Sequence, residues 1–335
     1  MIRKILMVRT CIVASLVAGI LICSSCIKPK IALFREVTEP LKEYTLQGTG
    51  KEKILIIPIK GFISDSEKDL PFYHKPGMVQ EIVSELNKAE KDKDIKGVIL
   101  KIDSPGGSVT ASDMLYHEII RFKERSGAKL VVIMMGVAAS GGYYIALPAD
   151  FIFAHPTSIT GSVGVIFLRP NVSGLMDKIG LEMGVNKSGK DKDMGSPFRK
   201  ATPEEEQIIQ NLINDQAGKF LSLVVRHRKL GEEAKTSVSS ARIYSADDAL
   251  HLGLVDQIGY LDDAIRKTTR MAGLPEDAKV VVYRRTEYPN DNVYNNSFAG
   301  RPGTPEMSLI DLGLADALPP LRSGFYYLWL PGPSE

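Results

Sequence analysis

From Lys53 onwards, short apolar runs alternate with amphipathic segments, a rhythm that predicts α/β organisation. Ile54-Leu55-Ile56-Ile57-Pro58-Ile59 reads as a strand, and Met78 to Lys91 as a helix because Val79, Ile82, Val83 and Leu86 recur at helical spacing. Val98 to Ile102 is a second strand and Ser108 to Lys123 a second helix. Leu130 to Met135 is a third strand, running into the small-residue segment Gly136 to Ala146. Phe151 to Phe153, Val163 to Phe167 and Leu181 to Val185 are expected as further short strands. Thr202-Pro203-Glu204-Glu205 opens a long helix, with Thr as N-cap, Pro at the first helical position and Glu closing a capping box. That helix is expected to reach about Leu230, with an apolar stripe including Ile208, Leu212 and Ile213. Ser245 to Leu252 and Leu261 to Met271 read as helices, and Val280 to Tyr283 as a late strand. No tandem repeat is visible. From residue 286 to 335 the chain turns to Asn, Pro and Gly and is expected to be a mostly extended tail with an apolar end, Phe325 to Trp329.

The front of the chain follows a different pattern. Arg3, Lys4 and Arg9 precede an uncharged run from Thr10 to Ile27, the order of a secretory signal. The run is also just long enough to cross a bilayer. Residues 1–27 therefore read as a signal peptide or membrane anchor, and 28–50 as a linker. Cys23-Ser24-Ser25-Cys26 resembles a bacterial lipobox, which makes Cys26 a candidate for lipid attachment. Cleavage, retention and lipidation all stay open. Each attached route puts the body on the far side of the inner membrane, periplasmic if the cell is Gram-negative.

Composition narrows the choice. Lys and Arg number 42 against 40 Asp and Glu, a formal net charge of +2, so no basic surface for nucleic acid is expected. All 3 cysteines, Cys11, Cys23 and Cys26, lie in the front segment, so the body has neither disulfide nor cysteine metal site.

Three serine-bearing clusters and one lysine cluster carry the candidate chemistry. Ser104-Pro105-Gly106-Gly107-Ser108 joins a strand to a helix; it reads as a tight turn or as a source of free backbone N–H groups for an oxyanion. Ala138-Ala139-Ser140-Gly141-Gly142 surrounds a serine with small neighbours, suiting either close packing or access of a carbonyl. A nucleophilic serine needs a base. None of the 5 histidines sits in a catalytic signature, so the alternative is a lysine made neutral by burial. Lys190 and Lys192, in Ser188-Gly189-Lys190-Asp191-Lys192-Asp193, are the candidates. Thr160-Gly161-Ser162-Val163-Gly164 places a further hydroxyl between the two clusters.

Together with Gly253-Leu254-Val255-Asp256, these motifs over about residues 50–275 resemble the bacterial signal peptide peptidase family SppA, in its short form. The resemblance implies a Clp/crotonase-like α/β fold, a repeated ββα spiral core with additional helices. It makes 51–285 a serine peptidase domain. Ser140 matches the nucleophile, Lys192 the general base, Ser162 the hydroxyl that orients the lysine, and Gly107 and Gly141 the oxyanion-hole donors. Asp191 departs from the family's pattern, which keeps Lys190 as second choice. The resemblance further implies apolar peptide substrates such as signal-peptide remnants, no metal or other cofactor, and a homo-oligomeric ring with the dyad shared between subunits. The apolar tail end, Phe325 to Leu330, is expected to pack on that ring or enter a neighbour's substrate groove. The rival readings are an inactive membrane-anchored scaffold of the same fold and a crotonase-like acyl-CoA enzyme. A Clp-type Ser-His-Asp site would need a histidine where Val165 stands.

Overall fold

The computed structural model describes residues 40–70, 73–288, 290–295 and 323–330. Its first strand, β1 (Lys42–Gln47), is followed by β2 (Lys53–Lys60). The short strands β3 (Lys68–Leu70) and β4 (Tyr73–Lys75) pair as a hairpin belonging to a separate small unit. Next come α1 (Met78–Lys91), β5 (Ile95–Ser104), β6 (Gly106–Ser108) and α2 (Val109–Ser126). β7 (Lys129–Ala139) leads through the single turn α3 (Gly141–Tyr144) to β8 (Phe151–Ala154), β9 (Ile159–Gly161) and β10 (Ile166–Leu168). The helices α4 (Ser173–Ile179), α5 (Pro203–Arg228) and α6 (Glu232–Ser239) precede β11 (Ile243–Ser245) and α7 (Ala246–His251). β12 (Gln257–Ile258), α8 (Leu261–Met271), β13 (Lys279–Arg284) and the tail strand β14 (Gly324–Leu328) follow.

The main sheet runs β1-β13-β2-β5-β7-β8-β12, with β9 joining β7 to β11. From β13 to β12 every pairing on this path is parallel, while β1 closes one edge antiparallel to β13. Parallel strands covered on both faces read as continuous apolar runs, and Ile54 to Ile57 of β2 are all fully or almost fully buried. Successive residues point to opposite faces. Leu55 and Ile57 thus pack with Val79 and Ile82 of α1 and Leu115 and Ile119 of α2, while Ile54 and Ile56 pack with Leu261 and Ile265 of α8.

Local signals place the helix ends. Ser108 caps α2 by accepting from the Ala111 N–H at 3.2 Å, and left-handed Gly127 stops it. The capping box at Thr202 and Glu205 forms as the sequence predicts.

Four expectations need correction. The segment expected as linker, 28–50, carries β1 in the sheet. Leu181 to Val185 forms no strand; all five residues are exposed, and no neighbouring strand supplies a ladder. The strand expected at Val163 to Phe167 forms instead at Ile166–Leu168, after the chain has turned away from β9. In α5 the buried apolar residues are Ile209, Phe220 and Val224, whereas Leu212 is exposed, because only part of the helix lies on the core. The apolar front segment with Cys26 lies outside the described residues. Among the described residues, no helix is long and apolar enough to cross a membrane.

Candidate active site

The two glycine-serine clusters meet at the C-terminal ends of neighbouring parallel strands. Ser104, at the end of β5, pairs with Ala138 near the end of β7. At Ala138 and Ala139, β7 changes partner from β8 to β9, and Ala139 pairs with Gly161. The chain then reverses at Ser140, which holds φ 53° and ψ −115°. A non-glycine residue with positive φ is held there against its own steric preference, a feature common at functional sites. Its N–H donates to the Gly161 carbonyl at 2.8 Å and its carbonyl accepts from Tyr144 N–H at 2.8 Å, so the main chain is fixed on both sides.

The Ser140 side chain is buried, and its hydroxyl has no hydrogen-bond partner among the described residues. Ser162 follows directly after the β7–β9 pairing, beside Ser140, and also has positive φ, at 51°. Its N–H donates to Arg242 O at 2.8 Å.

Gly107 and Gly141 stand where any side chain would collide with main chain or a buried hydroxyl. A Cβ on Gly107 would lie 1.9 Å from Ile63 O; one on Gly141 would lie 2.5 Å from Ser112 Oγ and 3.1 Å from the Gly107 nitrogen. The backbones of the two expected donor residues are therefore in close approach. Gly141 opens α3, and a helix leaves its first N–H groups without partners of their own.

The tail strand β14 runs between β10 and β6, antiparallel to both. Across β6, the Ile63 N–H donates to Gly106 O at 2.9 Å and the Ser108 N–H donates to Ile63 O at 3.0 Å. That leaves the Gly107 N–H and C=O to face β14. Trp329 N–H donates to Pro105 O at 2.9 Å, and Tyr327 stands opposite Gly107. By antiparallel alternation, Tyr327 and Gly107 form the next hydrogen-bonded pair. A Cβ on Gly106 would lie 2.0 Å from the Tyr327 carbonyl oxygen and 2.8 Å from the Gly141 nitrogen. The tail thus lays a peptide carbonyl against Gly106, which the Gly141 nitrogen also approaches, with Gly107 paired opposite Tyr327. Within the single chain the apolar tail end docks between β10 and β6.

The Tyr327 ring is buried against Tyr144, stacked at 5.0 Å, and Phe220, at 4.8 Å. Tyr144 donates its hydroxyl to Asp113 Oδ1 at 2.7 Å; burial and that carboxylate push its ionisation well above the usual tyrosine range. The sequence pass missed this aromatic group because its members come from α2, α3, α5 and β14. Tyr143-Tyr144 after the serine motif and the apolar tail end were the available signals.

The lysine cluster lies apart from these groups. Lys192 is exposed, and the ion pairs of its loop use other residues: Asp193 with Lys187 and Arg199, Lys190 with Glu204. Arg199 also donates to Glu205 at 2.9 Å, and this bond holds the Glu205 carboxyl down to about 2. The Lys190–Glu204 hydrogen bond raises the Lys190 pKa, the opposite of what a neutral base requires. The single chain therefore brings together Ser140, Ser162, Gly107 and Gly141 but leaves Lys192 without contact to them.

Comparison with known proteins places the chain in a family. The model of peptidase family S49 matches residues 123–275, and that of Clp protease matches residues 73–158. "Putative signal peptide peptidase SppA" of Enterococcus faecium is 35% identical over 249 residues, covering 74% of this chain and 71% of that protein. "Serine protease SPPA, chloroplastic" of Arabidopsis thaliana is 30% identical over 244 residues, 72% of this chain and 36% of that longer protein. The solved structure of a ClpP1 point mutant from Listeria monocytogenes aligns over 63% of this chain and 94% of that one, at 18% identity and a TM-score of 0.41. The mixed α/β core is of the Clp type that the motifs imply.

Proposed function

Since the chain belongs to peptidase family S49 and is a serine-type peptidase, we propose that Ser140 is its nucleophile and Lys192 its general base. Gly107 and Gly141 supply the oxyanion donors, and Ser162 orients the lysine. The observation that supports this reading is the close approach of the Gly107 and Gly141 backbones, with Tyr327 of the tail paired opposite Gly107, together with a buried Ser140 hydroxyl that has no partner among the described residues.

In the proposed reaction, the Ser140 oxygen attacks the scissile carbonyl while neutral Lys192 takes its proton. The developing oxyanion is held by the two backbone N–H groups. The lysine gives its proton to the departing amine, leaving an acyl-serine. A water then loses a proton to the lysine, attacks the ester, and restores the hydroxyl as the new carboxylate leaves.

A lysine acts as a base only where burial disfavours its charged form. Lys192 is exposed in the single chain, so the mechanism requires a neighbouring subunit to cover it. Exposed apolar residues precede it in the chain. Leu175, Ile179, Leu181, Met183 and Val185 are all at least half exposed on α4 and the loop after it, and apolar patches of this kind mark interfaces. A homo-oligomer in which each Ser140 meets a neighbour's Lys192 satisfies both groups at once.

The proposed substrates are extended apolar peptides such as signal-peptide remnants. They would enter as an added strand between β6 and β10. Residues 1–27 would attach the enzyme to the inner membrane, with Cys26 as the candidate lipid carrier and the peptidase body on the extracytoplasmic side.

A serine-directed fluorophosphonate probe tests the core of this reading. We expect labelling mapped to Ser140, cleavage of apolar fluorogenic peptides, and loss of both in Ser140→Ala, with turnover falling by at least about 10⁴-fold. An assembled wild-type protein with neither labelling nor cleavage would support the inactive scaffold instead.

A further inference from the structure

Lys192 stands between two carboxylates, Asp191 and Asp193. An unmatched carboxylate beside a lysine favours the charged form, which cannot take a proton. Asp191 is exposed, where water and salt screen it. The Asp193 side chain is only 14% exposed; it faces Lys187 and Arg199, and Arg199 in turn faces Glu205 of α5. We propose that Arg199 is a positioning residue for the general base: its guanidinium clamps the Asp193 turn to the start of α5 and neutralises the carboxylate that adjoins Lys192. The inference rests on Lys192 being the base and adds the residue that prepares it.

Every nitrogen of the guanidinium is engaged. Nε donates to Asp193 Oδ2 at 2.9 Å and one terminal nitrogen to Asp193 Oδ1 at 2.7 Å, a forked grip that a lysine cannot copy. The other terminal nitrogen donates to Glu205 Oε2 at 2.9 Å and to the Lys200 carbonyl at 3.0 Å. The grip also reaches the main chain beside the base. The Asp193 carbonyl accepts from Arg199 at 3.3 Å and from the Ser196 N–H at 3.0 Å. One residue earlier, the Lys192 N–H donates to Gly189 O at 3.2 Å. Glu205 is a firm far anchor, since it is buried and its Oε2 accepts from the Thr202 N–H at 2.9 Å in the capping box of α5.

Lys187 adds a bond to Asp193 Oδ1 at 2.7 Å. The Arg199 and Lys187 bonds hold the Asp193 carboxyl well below the usual carboxylate range, so it stays charged but is matched. Other charged groups of the loop and the facing helix pair among themselves, Lys190 with Glu204 and Arg169 with Glu206. Asp177 and Lys178 of α4, and Glu182, Asp191 and Lys200, are exposed. The cluster beside Lys192 therefore sums to zero, Lys187 and Arg199 against Asp193 and Glu205. A subunit that covers Lys192 then buries matched charges and not a lone carboxylate, which would be far more costly.

The test measures kcat/KM on an apolar fluorogenic peptide across about pH 6 to 10, with the full chain in detergent. Activity rises with pH as the base loses its proton, and the midpoint of that rise is the readout. Arg199→Ala leaves the cluster one charge negative, which favours a protonated lysine. We expect its midpoint about one pH unit higher and its rate below the midpoint about tenfold lower. Asp193→Asn leaves the cluster one charge positive and should move the midpoint down. The double variant should return it to the wild-type position, a pattern that loosened packing would not produce. Arg199→Lys keeps the charge and loses the fork, so its midpoint should stay while kcat falls by about tenfold with KM little changed. Should Arg199→Ala fail to assemble, Asp193→Asn and Arg199→Lys decide. Midpoints that stay put in Arg199→Ala and Asp193→Asn, in an enzyme that Lys192→Ala inactivates, would overturn the inference and leave the base standing. An active Lys192→Ala enzyme would overturn both.

Discussion

Ser140 and Glu85 are each held in a place their chemistry resists, for opposite reasons. The positive φ of Ser140 costs on the order of 1–3 kcal/mol and is maintained by main-chain bonds on both sides. In the proposed site that strain falls on the residue whose buried hydroxyl has no partner among the described residues. Glu85 of α1 serves no site. It is buried, its Oε2 has no partner among the described residues, and burial with the nearby Glu81 charge pushes its pKa well above the usual 4.5. The folded chain therefore keeps a proton there that the unfolded chain loses above pH 4.5. Stability falls as pH rises through the window between those two values. Glu85→Gln should remove that fall. Thermal melts should show the variant with the higher Tm near neutral pH and no advantage below pH 4.5; a lower Tm throughout would contradict the assignment. The special backbone at Ser140, Ser162, Gly107 and Gly141 falls in short small-residue motifs that the sequence displays, while their proposed roles came from the resemblance of those motifs to a family. Glu85 was not legible in the sequence, although it shares the apolar face of Ile82 and Leu86, since only the packed neighbours show that burial outweighs the Arg285 charge, which is paired with Glu81.

At the scale of elements, the regular parts followed their local signals. α1 and α8 begin and end where periodicity put them, and the Thr202 capping box forms. The misplacements occur where a face or a partner decides. Leu181 to Val185 has the composition of a strand but no ladder to join, and Leu212 continues an apolar stripe beyond the part of α5 that touches the core. The same reasoning makes β14 the least predictable and most consequential strand. Nothing local in Phe325-Tyr326-Tyr327-Leu328 reveals that it pairs with Gly106 and Gly107. In the proposed reading β14 occupies the edge of β6 that an incoming peptide would use, so tail and substrate would compete for it. Ending the chain before Gly324 should raise turnover of short apolar peptides at low substrate concentration, lowering KM with little change in kcat. Initial-rate kinetics check this, and an unchanged KM would show that the tail strand does not compete.

In the proposed reading the site is incomplete within one chain. Ser140 is buried, while Lys192 is exposed, as are the apolar residues Leu175, Ile179, Leu181, Met183 and Val185. The family resemblance supplied both halves of the proposed dyad, but spacing along the chain cannot show that Ser140 and Lys192 lie apart in the folded monomer. Under that proposal assembly is a condition for chemistry. In a cyclic arrangement each interface joins one subunit's serine to the next one's lysine.

The most direct test mixes Ser140→Ala and Lys192→Ala proteins, each inactive and assembled, under conditions where subunit exchange is demonstrated. Random assortment around a ring pairs an intact serine with a neighbour's intact lysine at about a quarter of the interfaces, so we predict recovery of about a quarter of wild-type activity. Exchanged rings that remain inactive would contradict a dyad divided between chains, and an active Lys192→Ala protein would contradict Lys192 as the base.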